Sequence, residues 1–166
     1  GWPSERSMEY YANGRWHPGP HLPAMGRGRS CAVDLNSTTT LVIGGSRGEG
    51  SYLNSVLAFD WPSKRWTYTQ DLKYTRYAHM CGRRGSKVIV AGGLNGTTMT
   101  SVEIFDPETG EWTEGRDMPR GWSSGTMVDA GVKGESKLVI VGGWSEGVGY
   151  EDSLMALGKE LGRGSF

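Results

Sequence analysis

Three glycine pairs, Gly44-Gly45, Gly92-Gly93 and Gly142-Gly143, recur at steps of 48 and 50 residues along a chain of 166. Other landmarks keep the same beat. Trp16, Trp66 and Trp112 each follow a charged residue, and six positions beyond them stand Leu22, Leu72 and Met118. Ser-apolar pairs at Ser7-Met8, Ser55-Val56, Ser101-Val102 and Ser153-Leu154 open segments that end on Tyr11, Phe59, Phe105 and, as a departure, Leu157. Landmarks in one order at one spacing define a repeated unit of roughly 50 residues that must bury its faces against copies of itself.

Within the unit the patterns are those of strands. Residues 41–43, 88–91 and 138–141 read LVI, VIVA and LVIV, continuous apolar runs as expected for strands covered on both faces. Val102-Glu103-Ile104-Phe105 alternates, which predicts Glu103 facing solvent. Asp106-Pro107-Glu108-Thr109-Gly110 sets φ early with Pro and accepts positive φ late with Gly, a hairpin turn. Its counterpart at residues 60–64 lacks the Gly. The spacing predicts strands at residues 7–11 and 14–16, then 27–33, 40–43, 56–59 and 65–68. It continues with 77–81, 87–91, 102–105 and 111–114, and ends with 122–128, 138–141 and 154–157. Residues 17–25 are too rich in Pro and Gly for a paired central strand and are expected to run outward as a loop. The glycine pairs are assigned a backbone role, a left-handed turn or close approach of a neighbouring sheet. Trp66 and Trp112 are expected to wedge between units, where burial of ~200 Å² of ring contributes at most about 5 kcal/mol each.

This set, a double glycine after a strand, an aromatic-Asp step, then Trp with Leu/Met-Pro beyond it, resembles the Kelch repeat. The resemblance covers nearly the whole chain. It implies an all-β fold, a Kelch-type β-propeller segment of four-stranded antiparallel blades in an incomplete ring. Residues 1–25 would end one blade, 26–73 and 74–119 form two more, and 120–166 begin another. Propellers need ~4–8 blades. The remaining blades are therefore expected from a longer chain or from a second copy, and an N-terminus that begins mid-unit reads as cut.

Charge and composition narrow the function. Eighteen basic residues balance eighteen acidic ones, so no field draws nucleic acid, and no apolar run reaches the length of a membrane span. Asn36-Ser37-Thr38 and Asn95-Gly96-Thr97 would accept glycans in a secreted protein, which leaves the compartment open. Cys31 and Cys81 occupy comparable places on innermost strands of adjacent blades. Sheets packed ~10 Å apart disfavour a disulfide, whose Cα atoms must lie within ~7 Å, so buried thiols are expected. His17 and His21 are four apart, but flanking prolines exclude a helical metal site. No catalytic residue, metal or cofactor is assigned. His79, in Arg76-Tyr77-Ala78-His79, matches a pattern that is structural in the resemblance. Cys81 and His79 do not supply the crosslinked Tyr and His ligands of a propeller oxidase.

Recognition is left to loops. Residues 46–54, 94–100 and 144–152, with 74–77 and 120–122, are expected on one face around the channel mouth. Arg47, Tyr52, Arg76, Tyr77, Arg120, Trp122, Trp144 and Tyr150 are the candidate contacts for a protein or peptide partner, being of the types that dominate binding hot spots. The resemblance adds two possible settings, substrate receptors of cullin-type ubiquitin ligases and actin organisers. A secreted propeller or a propeller-based oxidase is the alternative.

Overall fold

The computed structural model describes residues 6–23, 26–130 and 137–150, with the backbone of 154–157. Among them every regular element is a strand. A hairpin comes first, β1 (Met8–Ala12) with β2 (Arg15–Gly19), turning on Asn13-Gly14 at φ of 51° and 76°. Such a turn matches the twist of its strands. Then β3 (Cys31–Asp34), β4 (Thr39–Ser46), β5 (Tyr52–Asp60) and β6 (Arg65–Tyr68) pair in sequence order as an antiparallel sheet. Next come β7 (Met80–Arg84) and β8 (Lys87–Ala91), followed by a small ladder of β9 (Leu94–Asn95) with β10 (Thr97–Thr98), then β11 (Val102–Asp106) and β12 (Glu111–Glu114). Of these, β7, β8, β11 and β12 form the second four-stranded sheet. The last unit holds β13 (Thr126–Asp129), β14 (Leu138–Val141), a ladder of β15 (Trp144–Ser145) with β16 (Gly149–Tyr150), and β17 (Leu154–Leu157). Among the described residues its sheet has three strands in the order β13-β14-β17.

The innermost strands β3, β7 and β13 lie side by side, so the sheets fan from a shared centre. The apolar runs fill both gaps at once. Along β8, Val88 and Val90 pack with Leu41, Ile43 and Val56 on one side, while Ile89 and Ala91 pack with Met127, Leu138 and Ile140 on the other. Each indole also ties its blade backward: Trp66 Nε1 donates to Pro20 O and Trp112 Nε1 to Gln70 O, both at 3.0 Å. Pro20 and Gln70 each stand four residues beyond the preceding blade's Trp. The two rings are only partly buried, so their contribution lies below the full-burial limit set above.

Four expectations are corrected. The innermost strands begin at Cys31, Met80 and Thr126, three or four residues later than the apolar pattern placed them. Ahead of each sits a non-glycine residue in the left-handed region, Arg29, Ala78 or Ser124 at φ of 52°, 52° and 59°. That turn interrupts the strand and leaves only single bridges, Gly28↔Ser46, Tyr77↔Leu94 and Ser123↔Trp144. Second, residues 17–19 continue β2 as an edge strand, where Pro18 can stand because its missing N–H faces away from the ladder.

Third, Cys31 and Cys81 form a disulfide with Cα atoms 6.0 Å apart. They are not equivalent positions. Cys31 pairs with Ile43, the residue just before its glycine pair, whereas Met80 pairs with the corresponding Ala91. Cys81 is thus one residue further along its strand than Cys31, and a one-residue step turns a side chain to the opposite face. The two sulfurs meet across the gap between the innermost strands of the two blades. Fourth, Glu103 is buried, because β11 is covered on both faces.

Candidate interaction surface

The face that carries the loops is built from the glycine pairs upward. Gly92 and Gly93 have φ of 62° and 97°; a Cβ on Gly92 would strike Trp122 O, and one on Gly93 would lie 2.9 Å from Tyr77 O. The pair therefore lets two backbones approach, and Gly93 N donates to Trp122 O at 2.8 Å just as Gly45 N donates to Arg76 O at 2.9 Å. A second chain of bonds runs around the centre, Ala78 N to Arg29 O at 2.8 Å and Ser124 N to Ala78 O at 2.7 Å. The left-handed residues are what aim these groups from blade to blade.

Two of the candidate contacts are parts of this scaffold. Arg76 is 0% exposed; its guanidinium donates to Gly92 O at 2.7 Å, Ser101 O at 3.1 Å, Ser101 Oγ at 2.9 Å and the Glu103 carboxylate at 2.8 Å. Trp122, also 0% exposed, donates Nε1 to Gly142 O at 2.7 Å. Neither side chain reaches a partner, which corrects their assignment to the binding surface. Both hold the inner turn of their blade to the carbonyl of its own first paired glycine. Arg27 does the same in the preceding blade, to Gly44 O at 3.1 Å and Ser55 O at 2.9 Å. Arg27 and Arg76 stand 49 residues apart, one repeat, and that spacing was the available signal for their shared role.

Of the remaining candidates Arg47, Tyr77 and Arg120 lie in loops, Tyr52 is the first residue of β5, and Trp144 and Tyr150 stand on the β15–β16 ladder. Tyr52 and Tyr77 come from successive blades and meet with ring centroids 4.5 Å apart, and the Arg29 guanidinium sits 5.8 Å over Tyr77. Burial, then the Tyr52 hydroxyl, raises the Tyr77 phenol above its ordinary value. Arg47 lies in the loop between β4 and β5, half-buried, its Nε without a hydrogen-bond partner. Trp144 pairs with Tyr150 on the last blade's ladder, where Tyr150 is 91% exposed. Arg120 is exposed with its guanidinium 5.0 Å from the Trp122 ring. Thr98 Oγ1 donates to Glu146 at 3.4 Å, joining neighbouring loops. At the centre, Arg29, Ser30, Ala78, His79, Ser124 and Gly125 line a cleft of about 420 Å³. Among the described residues no group of three or more His, Cys, Asp or Glu is placed to hold a metal.

His79 is wedged between blades rather than offered to a ligand. Burial first, then the nearby Arg76 charge, pushes its pKa down to about 3. With an unfolded value of ~6.5, the unfolded chain binds more protons between those limits, so stability is full above pH ~6.5 and lost as pH falls toward 3. At pH ~4.5 the loss should be about 2–3 kcal/mol. The check is the melting temperature from pH 7 downward for wild type and for His79→Ser, Ser being the residue at this place in the preceding blade; the variant should show the shallower slope. Equal slopes would refute it.

Blades of this geometry, with paired glycines at positive φ and a Trp tied to the preceding blade, define a β-propeller array. The chain carries a Kelch motif and is similar to Kelch-repeat proteins. A profile of the Kelch motif matches residues 76–119. An F-box/kelch-repeat protein of Arabidopsis thaliana is 29% identical over 132 residues, 76% of this chain and 34% of that protein. Kelch-like protein 38 of Homo sapiens is 33% identical over 76 residues, 42% of this chain and 13% of that protein. The chain thus spans about a third or less of the length of these relatives. The solved structure of YjhT superposes with a TM-score of 0.76 at 14% identity, covering 92% of this chain and 52% of that one, a likeness of fold.

Proposed function

We propose that this Kelch segment is a protein-interaction module that binds a protein or peptide through its composite loop face. Arg47, Tyr52, Tyr77, Arg120, Trp144 and Tyr150 are the contact residues. The observation that carries this reading is the Tyr52–Tyr77 pair beneath Arg29 at the rim of the central cleft, an amphipathic aromatic platform assembled from two blades. Aromatic and Arg side chains of this kind give large contact area with few rotatable bonds. The reading is non-enzymatic. The name of the Arabidopsis relative joins the same repeat to an F-box, and on that likeness the module would serve as the substrate-binding part of a ubiquitin ligase.

The test is selection of binders from a displayed random-peptide library. Selected peptides should lose binding to Tyr77→Ala and to Trp144→Ala, and keep it for Lys64→Ala, which sits in a turn between third and fourth strands. Peptides indifferent to both platform substitutions, or sensitive to the Lys64 change alone, would overturn the assignment.

A further inference from the structure

Two inner-turn arginines of equivalent place are treated differently by their blades. Arg76 faces a carboxylate: Glu103 lies 2.8 Å from its guanidinium, and both side chains are buried. Arg27 is 8% exposed, yet the position matching Glu103, two residues beyond Ser55, is Leu57. Its contacts are Gly44 O, Ser55 O and Ser55 Oγ, all neutral, and its Nε is buried without a partner. A buried cation lacking an opposite charge is costly unless one is supplied.

The cross-strand neighbour makes this worse. Gly28 and Ser46 exchange both backbone bonds, at 2.8 and 2.9 Å, which sets Arg27 directly opposite Arg47 in the antiparallel register. Directly opposed like charges are destabilising. In the next blade the bridge Tyr77↔Leu94 sets Arg76 opposite neutral Asn95, and in the last blade Ser123↔Trp144 sets Trp122 opposite Ser145. Among the described residues, only the first four-stranded blade opposes two guanidiniums at this bridge. Burial first and then Arg47 lower the pKa of Arg27, while Tyr68 and Asp71 act in the other direction. Arg47 Nε is also buried without a partner, although its residue is part-exposed on the loop face. Arg29, exposed, continues the positive charge toward the central cleft.

We infer that Arg27 and Arg47 form an oxyanion site that takes a carboxylate side chain of an acidic peptide segment. Arg47 makes the contact from the loop face with the Arg27 charge behind it, and the incoming carboxylate supplies the negative charge that blade lacks internally. Fork-shaped guanidinium donors suit a planar carboxylate and bind it more strongly than neutral donors do. This deepens the proposed peptide-binding function and rests on it.

The experiment follows the Arg Nε–H resonances by ¹⁵N NMR while capped oligoglutamate, capped oligoglutamine or inorganic phosphate is added at low salt. Oligoglutamate should saturate and shift the Arg27 and Arg47 signals, weakening as salt rises; oligoglutamine should not. Arg47→Asn, which copies the next blade, should weaken oligoglutamate about tenfold or more while melting no lower than wild type. Leu57→Glu, which supplies the internal carboxylate, should remove binding as well. Unchanged affinity in Arg47→Asn, or shifts confined to other residues, would overturn the site. Phosphate shifting the same signals more tightly than oligoglutamate would overturn the carboxylate assignment. Library-selected peptides that need Tyr77 but ignore Arg47→Asn would remove this site and leave the platform standing.

Discussion

Substituting Glu103 by Ala is expected to lower stability by about 3–5 kcal/mol, because it strands a buried guanidinium. The Glu103 carboxylate takes Arg76 at 2.8 Å on one oxygen and the Lys73 backbone N–H at 2.7 Å on the other. It therefore ties the connection between β6 and β7 to the third strand of the blade that connection leads into. Loss of the carboxylate leaves Arg76, 0% exposed, with only neutral acceptors. For a chain this long the melting temperature should fall by roughly 10 °C or more. The control is the paired variant Arg76→Met with Glu103→Leu. Removing both charges at once leaves neither unpaired, and replacement of a buried ion pair by apolar groups is often neutral. Thermal melts of the single and paired variants decide the matter. A Glu103→Ala protein within about 1 kcal/mol of wild type would show that the pair adds little.

Removing the Cys31–Cys81 bond should have a comparable effect through different physics. The bond closes a loop across 50 residues, and on the chain-entropy view its loss frees the unfolded chain by about 4 kcal/mol. It joins the innermost strands of adjacent blades, β3 and β7. Reduction should therefore loosen the central cleft, whose wall includes Ser30 beside Cys31 and His79 two residues from Cys81. Melts of oxidised wild type, reduced wild type and the Cys31→Ser, Cys81→Ser variant should give one high and two matching lower midpoints. Three equal midpoints, or two free thiols titrating in the folded oxidised protein, would contradict this.

The repeated sheet was readable from the residues because its signals are local. Val88 to Ala91 must be covered on both faces whatever stands beside them, and Asp106 to Gly110 turn the chain by their own backbone preferences. The glycine pairs likewise declared a backbone need, and the junctions from Gly45 to Arg76 and from Gly93 to Trp122 use them for that purpose. The candidate surface was readable only in part. Tyr52 and Tyr77 are brought together, but Arg76 and Trp122 look in sequence like other loop residues of binding type, and Arg29 looked like part of a strand.

What the residue order determined by itself was the period, the strands and the stacking of like units. Local pattern suffices for these, since alternation, apolar runs and turn chemistry act within a few positions. Only the tertiary structure decided which side chains meet across a gap. The connection from β3 to β4 is longer than that from β7 to β8, so Cys81 stands one step out of register with Cys31 and the sulfurs face each other. The same dependence on neighbours turned Glu103 inward onto Arg76 and left Arg27 facing Arg47. Charge and thiol pairing depend on distances of a few ångströms between distant segments, and no local pattern records those distances.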